Sequence, residues 1–245
     1  VPETERGWII TPDEFASWIL ADSPDLAVLN KPGGVVCHPS KHGPWSSLAG
    51  AAREFFALPT IHMPFRLDRE TSGVWLAGKR REPASQMQKA VQRRLVCKSY
   101  LAILDGFLGE AVTVDRPIGR DLASRVWTKR RVVDPPEGQP ALTRFEPIEW
   151  RSGFTLARAI PATGRLHQIR VHAAFLGHPV VGDKVYGPDE TLYIEFVERG
   201  FTPRLARALP LRRQALHCES VEIPGFGRWT APLAADLADW WTSER

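Results

Sequence analysis

The run RLDRETSG, Arg66 to Gly73, sets one carboxylate, Asp68, between two arginines, Arg66 and Arg69, on a polar turn leading into the apolar stretch Val74 to Ala77. A carboxyl held by cations stays ionised near neutrality, where it can attack an electrophilic carbon or stand beside a developing positive charge. Aspartate also closes turns and caps helices by accepting backbone N–H groups, so the octapeptide alone permits a purely structural reading. A second group falls on residues 165–176. There a helical advance of about 100° per residue aligns Leu166, Ile169, Ala173 and Leu176 in one stripe, with Arg170 on its border. A cation in that position either reaches water along its own stem or finds a buried partner, and breaking a buried pair costs about 3–5 kcal/mol. Asp68 is the partner chosen here. Arg165 lies near the start of the same helix, where backbone amides favour a phosphate. Tyr100, in CKSYLAIL, is either an ordinary core aromatic or, beside a nucleobase, a stacking face with a phenolic oxygen for proton handling.

The elements that must position these residues can be read from periodicity and turn chemistry. Pro12 suits the first turn of a helix through Glu14 to Leu20, within a short N-terminal extension covering residues 1–22. From residue 23 to 245 the chain reads as one catalytic domain. Leu26 to Leu29 is a buried-strand pattern broken at Asn30-Lys31-Pro32-Gly33-Gly34; Val35 to Cys37 resumes as a short strand before a loop from His38 to Trp45. A helix is expected over 84–95, strands over Ser99 to Leu104, Phe154 to Ile160 and Ala215 to Ile223, and a closing helix over Leu233 to Trp241. Thr163 is a candidate cap and Gly177 a stop for the 165–176 helix. Between 111 and 150, short strands and turns surround the basic run Lys129-Arg130-Arg131. Strands outnumber helices without regular βαβ alternation. The expected class is therefore α+β, a mixed, mainly antiparallel sheet with flanking helices.

Composition narrows the function. The 245 residues are 43% hydrophobic and 24% charged, ordinary for a globular protein. The N-terminal residues lack the basic end and apolar core of a secretory signal, and no apolar run is long enough to span a bilayer, so a cytoplasmic protein without a membrane partner is expected. Three widely spaced cysteines without a CxxC pair argue against a disulfide framework or zinc ribbon. His167 and His172 lie five apart, on different sides of a helix, and no metal site is expected. The net charge is +4, with basic residues clustered at 79–81, 93–94, 129–131 and 204–213. Arginine forks match phosphate oxygens, so a polyanionic partner is favoured over a merely solvated surface.

Four segments, NKPGGVVCHP (Asn30 to Pro39), RLDRETSGVWLAGK (Arg66 to Lys79), CKSYLAILDG (Cys97 to Gly106) and TGRLHQIRVHAAFLGHPVVGDKVYG (Thr163 to Gly187), resemble in order the motifs of RluA-type pseudouridine synthases. The resemblance covers about residues 26 to 240. It implies the pseudouridine synthase fold, a bent sheet around a central basic cleft, and an isomerase that converts uridine in structured ribosomal or transfer RNA to pseudouridine. It further implies Asp68 as the catalytic aspartate, Tyr100 against the target base, Arg170 in a salt bridge with Asp68, and Arg66 entering the RNA as the uridine leaves its stack. Lys31 and Arg165 match motif positions and are expected, with Lys129 and Arg130 of the basic run, among the RNA contacts. The reaction needs no cofactor, and a monomer is expected. In one departure, the family usually has His before the RLD run, whereas this chain has Phe65. Two other readings stay open: a noncatalytic RNA-binding protein of the same fold, and a hydrolase using Asp68 with a histidine such as His172.

Overall fold

The computed structural model describes residues 8–38 and 42–243. The first residues of the N-terminal extension and the middle of the expected 38–45 loop lie outside them. In chain order the elements run α1 (Pro12–Ser17), β1 (Ile19–Asp22), β2 (Leu26–Lys31), α2 (Leu48–Phe55), β3 (Ser72–Gly78), α3 (Arg81–Gln92) and β4 (Cys97–Asp105). The short strands β5 (Val112–Asp115), β6 (Ile118–Arg120) and β7 (Arg130–Val132) precede the long β8 (Leu142–Arg151) and β9 (Phe154–Pro161). Then come α4 (Gln168–Phe175), α5 (Thr191–Arg199), α6 (Pro203–Ala208), β10 (Leu216–Ile223), β11 (Gly227–Thr230) and α7 (Ala235–Thr242). Among the described residues no helix is long and apolar enough to cross a membrane.

The chain divides into two compact units. The first runs through Lys98 and adds His217–Ala234; the second takes Ser99–Leu216 and the segment from Ala235 onward. In the first unit the strand order is β1-β2-β3-β10-β11. All neighbours there are antiparallel except β3 and β10, which run parallel with Ser72 opposite His217 and Gly73 opposite Cys218. Every residue of β3 is buried, which explains why SGVWLAG reads as an apolar run instead of an alternation. Part of the expected extension belongs to this unit. Thr11 and Glu14 form a capping box that starts α1, the helix stops at Ser17, and β1 then pairs with β2 as an edge strand. Val35 to Cys37 is no strand: the Val36 and Cys37 carbonyls accept the Leu48 and Ala49 N–H groups, so this stretch supplies partners for the opening of α2.

In the second unit β4, β9, β8 and β5 lie side by side, all antiparallel, while β6 and β7 form a separate hairpin. Helix α4 begins three residues later than its pattern suggests. His167 takes a left-handed conformation (φ 59°) before it, which leaves Leu166 outside the helix and 42% exposed. Thr163, the candidate cap, donates to Gln168 Oε1 (2.7 Å), and the same oxygen accepts the Arg165 N–H (3.0 Å). Neither side chain caps α4; the glutamine instead reaches backward and closes the turn that precedes the helix.

One glycine decides how close β3 and β10 come. Gly73 has φ 107°, and a Cβ there would sit 2.2 Å from the Cys218 carbonyl oxygen, inside the only parallel pairing among the described strands of this unit. Gly73→Ala is expected to destabilise the protein by about 1–3 kcal/mol, read as a lower urea midpoint with an unchanged slope.

Candidate active site

The turn that carries Asp68 is braced from below. Lys31, at the end of β2, is fully buried, and its ammonium donates to the carbonyls of Pro32 (2.9 Å), Arg69 (2.8 Å) and Thr71 (2.6 Å). The Gly34 N–H donates to the Arg69 carbonyl (2.8 Å), Arg69 Nε returns a bond to the Gly34 carbonyl (3.0 Å), and the Thr71 N–H closes the turn on the Asp68 carbonyl (3.1 Å). Cys37 Sγ–H donates to the Leu67 carbonyl (3.3 Å). Burial pushes that thiol above its ordinary value despite the nearby Lys31 charge, which keeps it a donor. The carbonyls of Leu67, Asp68, Arg69 and Thr71 are therefore all engaged, and the Asp68 side chain, half-buried, projects from an immobilised turn. Lys31 is thus corrected from an RNA contact to a brace, because an ammonium with no exposure and three carbonyl ligands presents no charge to a phosphate.

Behind this turn β3 and β10 are tied by side chains. His217 Nε2–H donates to the Ala231 carbonyl (3.2 Å), which leaves Nδ1 to accept the Ser72 hydroxyl (3.0 Å). Ahead of it, the departure at Phe65 has a physical role. The Lys98 ammonium lies 3.7 Å from the Phe65 ring centroid. Burial lowers Lys98 to about 8, an effect that the neighbouring Cys218 only partly opposes. Arg66 and Arg69 are exposed on the turn.

In the second unit Arg170 is buried on α4 and fixed by Asp183, with Nε to Oδ2 at 2.6 Å and Nη2 to Oδ1 at 2.8 Å. Burial acts to raise the Asp183 carboxyl, but the guanidinium and the N–H groups of Val185 and Tyr186 outweigh it and hold the group below its ordinary value. The Tyr186 ring lies 5.0 Å from the Arg170 guanidinium; its hydroxyl accepts the Arg130 N–H (2.9 Å) and bonds His167 Nδ1 (2.9 Å). Asp183 and Tyr186 hold Arg170 in place and were not singled out by the residue pattern. Asp183 lies in a loop with no periodicity, and the one available signal was a buried arginine that demanded an acid.

The remaining expected residues divide. Tyr100 is buried on β4 opposite Ala159 of β9. Arg165 is half-buried, with Nε donating to the Pro140 carbonyl (3.0 Å). Lys129, expected among the RNA contacts, has its ammonium 2.7 Å from Glu190 and 3.9 Å from Asp121. Arg130 is half-buried beside Tyr186. The basic clusters are thinned in the same way, since Lys79 pairs with Asp22, Arg80 with Asp25, Arg204 with Glu195 and Asp189, and Arg213 with Asp236. His172 is unavailable to a hydrolase. It is fully buried, with Nε2–H on the Arg116 carbonyl (3.1 Å) and Nδ1 accepting from Thr143 (2.9 Å), and burial lowers its pKa.

The site is thus an acid on a braced turn flanked by exposed arginines. Comparison with known proteins gives this site its family. The model of the RNA pseudouridylate synthase family matches residues 25–175, and the chain belongs to that family. It is 35% identical over 234 residues to the ribosomal large subunit pseudouridine synthase D of Nitrosomonas europaea, across 90% of this chain and 63% of that protein. It is 30% identical over 246 residues to the protein of the same name from Escherichia coli K12, across 97% of this chain and 73% of the relative. The chain therefore spans less than two thirds of the Nitrosomonas relative. Among solved structures it resembles human RNA pseudouridylate synthase domain containing 1, with a TM-score of 0.70 and 27% identity over 87% of this chain and 82% of that one.

Two outcomes follow from this geometry. Asp183→Ala leaves the Arg170 guanidinium buried without its carboxylate and is expected to cost about 3–5 kcal/mol, measured by chemical denaturation. Lys98 supplies a pH signature. The unfolded chain keeps its proton up to about 10.5 whereas the folded protein releases it near 8, so the unfolded state binds more protons in between. Stability relative to Lys98→Met should then rise with pH across that window, and parallel pH profiles for the two proteins would rule out the buried ammonium.

Proposed function

We propose that the chain is an RNA pseudouridine synthase that acts on uridine in ribosomal large-subunit RNA. The observation that carries this reading is the Asp68 turn, whose backbone carbonyls are held by Lys31, Gly34, Cys37 and Thr71. Membership of the family supports the reaction class, and the names of the bacterial relatives support ribosomal RNA over transfer RNA.

The reaction breaks the bond from ribose C1′ to uracil N1, turns the retained base, and joins C5 to C1′. Asp68 serves by attacking C1′, by attacking C6, or by taking a ribose proton as the base departs. Each route requires an ionised carboxylate in a fixed place. Arg170, which the family resemblance pairs with Asp68, would supply the countercharge. Tyr100 would lie against the target base. Extracting that base from a stacked RNA costs a few kcal/mol, and Arg66, exposed on the same turn as Asp68, would fill the vacated place. The chain would act in the cytoplasm as a monomer.

Mapping pseudouridine in total RNA from cells with and without the gene tests the substrate: loss at ribosomal positions is expected, and loss confined to transfer RNA would overturn the choice. Asp68→Asn should lower the single-turnover rate by at least about a thousandfold while RNA affinity stays within threefold. An undiminished rate in that variant would remove Asp68 from the chemistry.

A further inference from the structure

The β6–β7 hairpin carries a feature that neither Asp68 chemistry nor core packing explains. Trp127, in the connection between the two strands, is 72% exposed, and Leu122 in the same connection is 81% exposed. The Arg120 guanidinium lies 3.3 Å from the Trp127 ring centroid and covers one indole face, which leaves the other face to solvent. Arg120 stands directly opposite Arg130 across the hairpin, with Arg131 beside them opposite Gly119. Like charges placed opposite each other in an antiparallel pair destabilise it. Among the described residues neither Arg120 nor Arg131 has an ion-pair partner.

This connection is nevertheless firmly built. Val126 is buried as its anchor, packed with Ile118, Val185 and Tyr186. The Asp121 N–H donates to the Lys129 carbonyl (3.2 Å), the Lys129 N–H to the Val126 carbonyl (2.9 Å), and the Val126 N–H to Ser124 Oγ (3.0 Å). Glu190 accepts from both Ser124 Oγ and Lys129 Nζ, each at 2.7 Å. An ordered segment that holds a large aromatic in water, with a cation stacked on it and unneutralised arginines opposite, is preorganised for a planar, anionic partner.

We propose that Trp127 and Arg120 form a stacking platform for an unpaired nucleobase of the RNA, and that Arg130 and Arg131 take the phosphates beside it. Arg130 and Arg131 line a cleft of about 780 Å³ along the hairpin, whose other basic residues, Arg116 and Lys129, are paired with the lining acids Asp134 and Glu190. The inference rests on the proposed RNA substrate but needs no isomerisation. Stacking on an aromatic is tolerant of sequence and requires an unpaired base, so the platform selects single-stranded segments and not a particular letter.

The test uses the full chain, with a 12-nucleotide oligouridylate and an RNA duplex of equal length as probes, at 50 mM salt. Trp127→Ala should weaken the oligouridylate about tenfold, in line with stacking measured by alanine substitution, while leaving the duplex and the melting curve unchanged. Trp127→Phe should stay within about twofold of the parent. Arg131→Ala should weaken both probes and flatten the salt dependence. A second reading needs no variant: ultraviolet crosslinking of an oligonucleotide containing 5-iodouridine should label the peptide that holds Trp127. Unchanged oligouridylate affinity in Trp127→Ala, equal losses on single strand and duplex, or crosslinks that avoid residues 120–132 would each overturn the platform. Failure of the isomerase reading shows separately, as RNA binding through Trp127 without pseudouridine formation.

Discussion

The structure around Asp68 depends on a buried ammonium. An ammonium taken out of water costs several kcal/mol unless its donors are met, and Lys31 meets them with three backbone carbonyls drawn from two loops. The arrangement binds the turn after β2 to the turn before β3, which are adjacent strands in register from Leu26–Gly78 to Lys31–Gly73. The ammonium's ligands are main-chain atoms, so it holds the RLDRET turn by its backbone.

The second unit solves the same problem with opposite signs. Arg170 is buried and needs an anion, Asp183 is buried and needs a cation, and the carboxylate's remaining capacity is filled by the N–H groups of the turn that follows it. Tyr186 then carries the ordering outward, with its ring near the guanidinium and its hydroxyl on the first residue of β7. The strained His167 that opens α4 bonds to that same hydroxyl. A helix that is buried on nearly all sides, with Gln168, Arg170 and His172 all satisfied internally, behaves as a polar keystone and not as an amphipathic surface helix.

Much of this was legible in the chain, and the exceptions have physical causes. The apolar runs of β3, β4, β9 and β10 were bounded by turn residues and appeared where expected. Val35 to Cys37 looked like another strand, because apolarity signals burial and not extension; its carbonyls serve a helix instead. The stripe over 165–176 placed Arg170 correctly but gave the wrong phase at Leu166, since one left-handed residue resets a helix. Asp183 was out of reach of any periodic argument, lying thirteen residues beyond Arg170 in irregular chain. Counts of arginine and lysine located four basic clusters, yet could not tell that Lys79, Lys129, Arg204 and Arg213 are neutralised by acids distant in sequence.

Glu190 has a wider meaning than a loop contact. It sits at the N-cap of α5 and holds both Ser124 and Lys129, so the hairpin and the α5–α6 segment share a single carboxylate hinge pin. The Leu192, Leu205 and Leu209 cluster makes α5 and α6 one packed body. Remodelling that body would move the hairpin with it, and a hairpin grafted onto a relative without an equivalent acid would lose its registration. Diversity in the helical pair is then a route by which evolution can redirect the exposed hairpin.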